Sequence, residues 1–361
     1  MNSLDTIIIA AGGTGGHLYP GIALARELRQ RGKNIVVIVR RNDAGREILE
    51  KEGISYAEIP VAGMPRKPSL HVFSFAYLLV RSFFAAGSLL ARLRPKAVIG
   101  MGGYISFPVV VMGWWKGIPT VIHEQNYIPG LANRLLVRMA SKVAISFLES
   151  RHYFPERKTA VTGNPVRREL FVAPPHDVFR HFNLTPDRFT VLVFGGSQGA
   201  SIINTTLVRA FPRLAAIKDR AQFLHITGKR DCSEMEKQFA AAGIMARVLP
   251  YLHEIGDAYA AADLIICRSG ATTVAELKIL NKPCILIPFA RATANHQEYN
   301  AGVLVKDGIA AMIVESDLTP EKLAGAVLDR CNAFAGHRTA IRMPHPLPQA
   351  ALADLVLQLA K

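Results

Sequence analysis

Short apolar segments rich in β-branched residues alternate with longer amphipathic segments along the whole chain. A buried parallel strand is apolar on both faces and a helix usually links it to the next strand, so this alternation predicts parallel sheets with helical crossovers. The predicted strands are residues 6–11, 34–40, 54–61, 97–102, 120–125 and 142–146 in the first half, and 190–196, 223–228, 247–251, 264–270, 284–289 and 310–315 in the second.

The alternation is interrupted near residues 163–175, where a Gly-Asn-Pro turn precedes a proline-rich, charged segment. A chain of 361 residues is long enough for two domains of ordinary size. We therefore predict two doubly wound α/β domains, residues 1–163 and 164–340, and a C-terminal helix within 341–361 that packs back on the first domain. Ligands of open parallel sheets bind beyond the carboxyl ends of the strands, so we expect the two sheets to face an interdomain cleft.

A net charge of +15 indicates an acidic partner: nucleic acid, an anionic bilayer or a phosphorylated substrate. We disfavour nucleic acid, because the sequence lacks basic runs interleaved with aromatic residues and any helix-turn-helix or RNA-recognition signature. The four cysteines lie far apart without the spacing of zinc ligands, so we expect no metal site and reduced thiols. The N-terminal sequence does not resemble a signal peptide, so we expect a protein that stays inside the cell.

Residues 70–91 are apolar on nearly every helical face and are long enough to span a bilayer. Arg81 at mid-segment, and the position between two predicted strands of one sheet, favour a crossover helix instead. Such a helix is either buried or presents one face to a membrane surface. The basic residues that flank the segment are Arg66, Lys67, Arg92, Arg94 and Lys96.

Three predicted strand-to-helix turns are candidates for binding a diphosphate, at residues 12–17, 195–200 and 268–276. Backbone N–H groups and the helix dipole favour an anion at a helix N-terminus, although a tight turn that binds nothing has the same composition. The first turn is not a dinucleotide fingerprint, because Leu18 stands where the third glycine is required, and the chain has no Walker A sequence. Glu276, one turn into the third helix, is placed to accept from a ribose diol, or else only caps the helix dipole.

Two polar clusters indicate a ligand site. Residues 123–126, His-Glu-Gln-Asn, end a predicted buried strand, where polar side chains gain nothing from core packing unless they form a hydrogen-bonded loop. Residues 295–300 begin a helix with amides and a histidine that can bind sugar hydroxyls. The chain has no Asp-x-Asp motif for a metal, so we expect helix N-termini and a cation such as Arg167 to neutralise a leaving diphosphate.

These segments together resemble the MurG family of bacterial glycosyltransferases, glycosyltransferase family 28. The matching segments occur in the family's order, from residue 12 to residue 301. They are GGTGGHLYPGIALA, GMGGYISFP, HEQNYIPGLANR, TGNPVR, GGSQGA, CRSGATTVAEL and NHQEYNA.

The resemblance implies a GT-B fold, with the acceptor bound mainly by the first domain and the donor mainly by the second. It implies an inverting, metal-independent transfer of N-acetylglucosamine (GlcNAc) from UDP-GlcNAc to the C4 hydroxyl of N-acetylmuramic acid in lipid I, giving lipid II and UDP without a cofactor. The partners implied are UDP-GlcNAc, undecaprenyl-linked lipid I and the anionic cytoplasmic face of the inner membrane, to which the protein would bind peripherally. Other proteins of cell-wall synthesis stay open as partners.

The resemblance also implies individual roles. His17 is the candidate general base, and His123 and Glu124 are alternatives that the spacing does not separate. Glu276 would bind the ribose and Asn300 the sugar. The other implied substrate contacts are Thr14, Gly15, Gly16, Asn126, Arg167, Ser197, Leu252, Ala271, Thr272, His296 and Gln297.

The sequence departs from the family at Thr272, which replaces an apolar residue, and at Ala275, which replaces a serine. The segment leading into His296 varies among relatives, so the placement of that histidine stays open. Two other hypotheses also stay open: another GT-B enzyme, such as a glycolipid synthase or a UDP-GlcNAc epimerase, and a non-catalytic subunit that only binds a nucleotide sugar. We expect Glu276→Ala and Arg167→Ala to weaken UDP-GlcNAc binding with little change in the fold.

Overall fold

The computed structural model describes residues 5–43, 45–63, 71–171, 178–196, 199–253, 255–334, 336 and 346–360. The chain forms two compact units, one comprising Met1–Arg167 with His345–Lys361 and the other Arg168–Pro344. Each unit contains one sheet in which every strand pair is parallel. The predicted fold class, two doubly wound α/β domains, is therefore confirmed.

The first unit is built on a seven-stranded sheet. Its strands are β1 Thr6–Ala10, β2 Asn34–Arg40, β3 Tyr56–Ile59, β4 Ala97–Gly100, β5 Thr120–Glu124, β6 Lys142–Ile145 and β7 Thr159–Val161. Their order is β3-β2-β1-β4-β5-β6-β7, so the chain starts at the centre and reverses its winding direction between β1 and β4. A doubly wound sheet binds its ligands at such a reversal, beyond the carboxyl ends of the strands.

Helices cover both faces of this sheet. They are α1 Gly15–Gln30, α2 Arg46–Lys51, α3 His71–Leu93, α4 Gly103–Trp115 and α5 Leu131–Leu136, followed by short 3₁₀ helices at Leu148–Tyr153 and Glu156–Lys158. The central strands are buried on both faces, which is why their sequences are continuous apolar runs rather than alternating ones.

The second unit repeats this topology with six strands. They are β8 Phe189–Phe194, β9 Ala221–Ile226, β10 Ala246–Leu249, β11 Leu264–Cys267, β12 Cys284–Leu286 and β13 Ala310–Met312. The order β10-β9-β8-β11-β12-β13 places the reversal between β8 and β11. The helices are α6 Val178–His181, α7 Ser201–Leu214, α8 Cys232–Ala242, α9 Ile255–Ala261, α10 Ala271–Leu280, α11 His296–Lys306 and α12 Pro320–Asn332.

The C-terminal helix, α13 Pro348–Leu359, belongs to the first unit and packs against α1. Leu352, Ala353 and Val356 are fully buried in the same apolar cluster as Leu24 and Leu28 of α1. Burying one such side chain contributes about 1.5–3 kcal/mol, so these contacts tie the end of the chain to the first sheet.

Helix α3 links β3 to β4, two strands of one sheet, so it is a crossover helix. Within it, Phe73–Leu93 is the one helix among the described residues that is long and apolar enough to cross a membrane by length and composition. Its inner face packs on the sheet through Ala86 and Leu90. Four side chains on its outer face are exposed, and they follow one another at intervals of four, three and four positions: Phe73, Tyr77, Val80 and Phe84.

All twelve predicted strands are present, but most end earlier than predicted. The segment predicted at 264–270 is a strand only over Leu264–Cys267, because its last residues lead into α10. β7 was not predicted, since its three residues, Thr-Ala-Val, are too short to give a pattern. It extends the edge of the first sheet by pairing with β6.

Candidate functional site

The first predicted turn lies where β1 ends, at the reversal point of the first sheet. Gly13 has a positive φ of 83°, and its N–H donates to Oδ2 of Asp43 at 2.8 Å. The other oxygen of Asp43 accepts from the N–H of Gly45 at 2.9 Å. A carboxylate of the protein therefore holds this glycine turn in place. Thr14 then occupies the N-cap position of α1 without a capping bond from its side chain, and the first residues of the helix are Gly15 and Gly16.

His17 lies in the first turn of α1 and faces the end of β5. Its Nδ1 is 3.2 Å from Oε1 of Gln125. Nε2 of Gln125 donates to the carbonyl of Met101 at 2.6 Å and lies 3.0 Å from Nδ1 of His123. Nε2 of His123 in turn lies 3.0 Å from the carbonyl of Gly163. Gln125, which belongs to the predicted polar cluster at 123–126 but was assigned no role of its own, therefore connects the two histidines.

The backbone that enters α4 makes room for the His17 ring. Gly102 and Gly103 have φ values of 90° and 70°. A Cβ atom on Gly102 would lie 3.0 Å from Cε1 and Nδ1 of His17, and one on Gly103 would lie 3.2 Å from Cδ2. Only glycine leaves enough space for the imidazole at both positions.

The two alternative bases are both buried. Burial lowers the pKa of His123 to about 4, although its bond to the Gly163 carbonyl opposes this. Oε1 of Glu124 accepts from the backbone N–H and the side-chain amide of Asn126, at 2.9 and 3.3 Å. Oε2 of Glu124 accepts from Gly130 N at 3.0 Å and from Asn133 Nδ2 at 2.8 Å. These contacts favour a structural role for Glu124, because four donors already occupy its carboxylate.

Arg167 is near the start of α1 in the same unit. Its guanidinium carbon lies 4.5 Å from the centroid of the Tyr19 ring, a distance typical of a cation–π contact. The first unit thus holds Thr14, Gly15, Gly16, His17, Glu124, Asn126 and Arg167 of the predicted site residues.

The second unit contains a cavity of about 900 Å³ beyond the carboxyl ends of β8 and β11. The glycine turn after β8, the first residues of α7 and the start of α10 line it. Cations and two aromatic rings complete the wall. The lining residues are Phe194, Gly195, Gly196, Gly199, Ala200, Ser201, Ile202, Arg230, Arg268, Gly270, Thr273, Phe289, Gln297 and Glu315.

The glycine turn after β8 is too crowded for side chains. A Cβ atom on Gly195 would lie 2.3 Å from the backbone nitrogen of Ala200, and one on Gly199 would lie 2.1 Å from the carbonyl oxygen of Thr227. Both distances are far below van der Waals contact, so the turn requires glycine. The predicted phosphate contact Ser197 lies outside the described residues.

Two helices begin at this cavity without a side-chain cap. Ala200 precedes α7 and Gly270 precedes α10, and neither side chain caps its helix. A helix N-terminus carries a partial positive charge and orients its N–H groups outward, which suits an anion. Ala271 and Thr272, two predicted donor contacts, are the first residues of α10.

Glu276 lies on the second turn of α10 and is 1% exposed. The hydroxyl of Tyr259 donates to its Oε2 at 3.0 Å. Glu276 is not among the residues that line the cavity, although Gly270 and Thr273 at the start of the same helix are. The sequence motif around Glu276 does not indicate this partner, because Tyr259 lies on α9, seventeen positions earlier.

The predicted sugar-binding segment is joined to β11 and β12 by hydrogen bonds. The hydroxyl of Ser269 donates to the Gln297 carbonyl at 2.8 Å, and Nδ2 of Asn300 donates to the Ser269 carbonyl at 3.3 Å. Oε1 of Gln297 accepts from Phe289 N at 3.0 Å. His296 instead donates from Nδ1 to the Thr293 carbonyl at 2.8 Å. Leu252 is half-buried in the loop that follows β10.

Arg268, the first residue of the third predicted turn, lines the cavity, although we assigned it no role of its own from the sequence. Its guanidinium donates to the carbonyls of Ile287 and Pro288 at 3.0 and 3.1 Å and forms an ion pair with Glu315. It also lies 5.3 Å from the centroid of the Phe289 ring. Arg268 therefore holds the loop after β12 against the end of β11.

A second polar group lies beside α7. Burial would raise the pKa of Asp231, but hydrogen bonds from Ser201, Arg230 and Asn204 outweigh it and hold that pKa below its ordinary value. Asn204 also accepts from Nε2 of His225 at 3.0 Å. Burial lowers the pKa of His225 to about 3, although Asp231 opposes the shift, so this histidine is neutral in the folded protein.

Within the described part of the chain, no three His, Cys, Asp or Glu side chains are grouped so that they could hold a metal ion. The four cysteines are free thiols, and burial raises the pKa of Cys284 to about 12.

Family models match both halves of the chain. The glycosyltransferase family 28 N-terminal domain matches residues 7–145, and the glycosyltransferase family 28 C-terminal domain matches residues 190–338. These matches contain the turn at residues 12–17 and the cavity of the second unit.

Individual relatives agree with the family models. A Myxococcus xanthus (strain DK1622) protein named UDP-N-acetylglucosamine--N-acetylmuramyl-(pentapeptide) pyrophosphoryl-undecaprenol N-acetylglucosamine transferase is 44% identical over 89% of this chain and 83% of its own. A Syntrophus aciditrophicus (strain SB) protein of the same name is 40% identical over 93% of this chain and 91% of its own. The crystal structure of Acinetobacter baumannii MurG matches with a TM-score of 0.75 and 27% identity, over 98% of this chain and 99% of that one.

Proposed function

Because the chain belongs to glycosyltransferase family 28, we propose that it transfers GlcNAc from UDP-GlcNAc to the C4 hydroxyl of N-acetylmuramic acid in lipid I, giving lipid II and UDP. The observation that carries the proposal is a 44% identical relative, named for this transfer, that matches 89% of the chain. The helix starts that meet at the cavity of the second unit are consistent with a diphosphate donor.

The second unit is the proposed donor domain. The N-termini of α7 and α10 would take up the negative charge of the diphosphate, and Arg268 adds a cation to the same cavity wall. Gln297 and Asn300 would bind the sugar, and Glu276 the ribose. Leu252, Ala271, Thr272, His296 and the undescribed Ser197 stay proposed donor contacts on the resemblance.

The first unit is the proposed acceptor domain, with His17 as the base. The C4 oxygen of the acceptor would form a bond to C1 of GlcNAc as the bond from C1 to the diphosphate oxygen breaks, and UDP leaves with that electron pair. The acceptor proton passes to the imidazole of His17, and attack from the face opposite UDP inverts C1. Thr14, Gly15, Gly16, Asn126 and Arg167 stay proposed donor contacts.

Transfer of radiolabelled GlcNAc from UDP-GlcNAc to a lipid I analogue tests the function directly. We expect labelled lipid II, and we expect the same rate with a chelator present, because helix N-termini and cations would replace a metal. No labelled product would refute the proposal, and product that disappears with the chelator would refute metal independence. The His17→Ala variant serves as the control, with an expected loss of about 10²–10⁴-fold.

The two other hypotheses from the sequence are less well supported. An epimerase would consume UDP-GlcNAc without an acceptor, and a non-catalytic subunit would bind it unchanged. Without the lipid I analogue, an epimerase should still consume UDP-GlcNAc, whereas the transferase should leave it intact. When the analogue is restored, the transferase should make lipid II, whereas a non-catalytic subunit should not.

We further propose that the first unit binds peripherally to the anionic cytoplasmic face of the inner membrane. The outer face of α3 supports this, because Phe73, Tyr77, Val80 and Phe84 are all more than half exposed. Arg81 on the same helix is exposed and adds positive charge. Arg66 and Lys67, which we also expected to contribute, lie outside the described residues.

A further inference from the structure

Two backbone carbonyls determine how the side chains between His17 and Gly163 are protonated. A carbonyl oxygen only accepts, so the nitrogen of Gln125 that faces the Met101 carbonyl at 2.6 Å must be its NH₂ group. By the same argument, Nε2 of His123 must carry a hydrogen, because it faces the Gly163 carbonyl at 3.0 Å. The two carbonyls therefore determine the orientation of the Gln125 amide and the tautomer of His123.

The remaining assignments follow along the chain of contacts. Neutral His123 with a hydrogen on Nε2 has a bare Nδ1, which accepts the second hydrogen of the Gln125 NH₂ group at 3.0 Å. Oε1 of Gln125 is then the atom that faces Nδ1 of His17 at 3.2 Å. Because Oε1 can only accept, Nδ1 of neutral His17 carries the hydrogen.

We propose that Gln125 is a positioning residue that fixes His17 in the Nδ1–H tautomer and so makes Nε2 the atom that takes the acceptor proton. This role of Gln125 rests on the proposed function only in that the proton taken by Nε2 comes from the acceptor hydroxyl. His123 holds the Gln125 amide in its orientation and is not itself the base.

The position of the ring supports this assignment. Gly102 and Gly103 let the imidazole lie directly against the backbone, with Nδ1 on the side of Gln125. Burial keeps His123 neutral at physiological pH, since its pKa is about 4. A protonated His123 would donate from both nitrogens and would turn the Gln125 oxygen away from His17.

Nitrogen-15 NMR of histidine-labelled protein without substrate measures the tautomer, since a protonated and a bare ring nitrogen have different shifts. The His17→Asn variant identifies the His17 signals. We expect Nδ1 protonated and Nε2 bare in the neutral ring of the wild-type protein. A hydrogen on Nε2 of neutral His17 would overturn the proposal, whether or not the protein catalyses transfer.

Two variants of Gln125 separate positioning from packing. Gln125→Met has a similar shape but no acceptor for Nδ1, so we expect mixed tautomers, a kcat at least tenfold lower and unchanged UDP-GlcNAc affinity. Gln125→Glu in its protonated form keeps an oxygen opposite Nδ1 and a donor toward the Met101 carbonyl, so we expect it to retain the Nδ1–H tautomer. Equal tautomer populations in the wild-type and Gln125→Met proteins would refute the positioning role.

The NMR result is also independent of the proposed function. If the wild-type protein fails to transfer GlcNAc yet His17 carries its hydrogen on Nδ1, the transferase assignment fails and the role of Gln125 in orienting His17 stands. If transfer occurs but neutral His17 carries its hydrogen on Nε2, the transferase assignment stands and the role proposed for Gln125 fails.

Discussion

Glu276→Gln tests the proposed donor site most directly, because it removes a charge while keeping the shape of the side chain. The carboxylate would accept from both hydroxyls of a ribose, whereas an amide has only one accepting oxygen. Hydrogen bonds to charged groups contribute about 1.5–3 kcal/mol, against about 0.5–1.5 for neutral ones. Losing about 2 kcal/mol corresponds to a UDP-GlcNAc Kd about thirtyfold higher.

The buried contact with Tyr259 changes what the alanine variant should do. Glu276 is 1% exposed and accepts from the Tyr259 hydroxyl at 3.0 Å, so Glu276→Ala removes a buried hydrogen bond to a carboxylate. That costs about 1–3 kcal/mol of stability, in contrast to the small effect on the fold expected from the sequence. Glu276→Gln retains an acceptor for Tyr259 and should unfold at nearly the wild-type denaturant concentration.

Isothermal titration with UDP-GlcNAc and denaturant unfolding separate these effects. Glu236→Gln, an exposed glutamate of α8, is the matched control for the loss of one negative charge, and its Kd should not change. A Kd within twofold of wild type for both Glu276 variants would refute the ribose contact. Equal stability of the alanine and glutamine variants would refute the role assigned to Tyr259.

Three further predictions concern other parts of the chain. Gly102→Ala should lower kcat more than tenfold, because its Cβ would lie 3.0 Å from the His17 ring. Gly53 also has a positive φ but has open space around it, so Gly53→Ala should cost only about 1 kcal/mol of stability. Phe84→Asp should weaken flotation with anionic vesicles about tenfold or more, and Val161→Asp should not. The free energy of unfolding should fall as the pH drops from 6.5, because the unfolded chain then protonates His225 while the folded chain, with its pKa of about 3, does not. Denaturant titrations at pH 7 and 5 should show a smaller fall for His225→Gln, by about 2 kcal/mol.

The strands of both sheets could be predicted because each one carries its signal locally. A parallel strand buried on both faces is a continuous apolar run, as in β1 and β8, and such a run needs no partner to be recognised. β7 fails this condition: its residues are half-buried or exposed, and only its pairing with β6 makes it a strand.

The candidate site could be predicted only where one segment supplies both the residue and its surroundings. Gly195 is an example, because the backbone nitrogen of Ala200 in the same turn requires a glycine there. Gln125 contacts His17, 108 positions away, and the carbonyl of Met101, and its neighbour His123 is held by the carbonyl of Gly163, so the local sequence does not reveal its role. The contacts of Glu124 could not be predicted from the sequence either, because two of its four donors lie on Gly130 and Asn133.

The two units contain similar strand-to-helix turns, but the contacts of these turns differ. In the first unit, the N–H of Gly13 already donates to Asp43, so a protein carboxylate occupies part of the turn and stabilises the entry to α1. In the second unit, Ala200 and Gly270 supply no capping side chain at the starts of α7 and α10. The start of α1 also has no side-chain cap, so the turns differ in the Gly13–Asp43 bond, which holds the entry to α1 where His17 lies beside Gln125. We therefore expect the first turn to position the proposed base and the second turn to bind the proposed diphosphate, although their glycine patterns are similar.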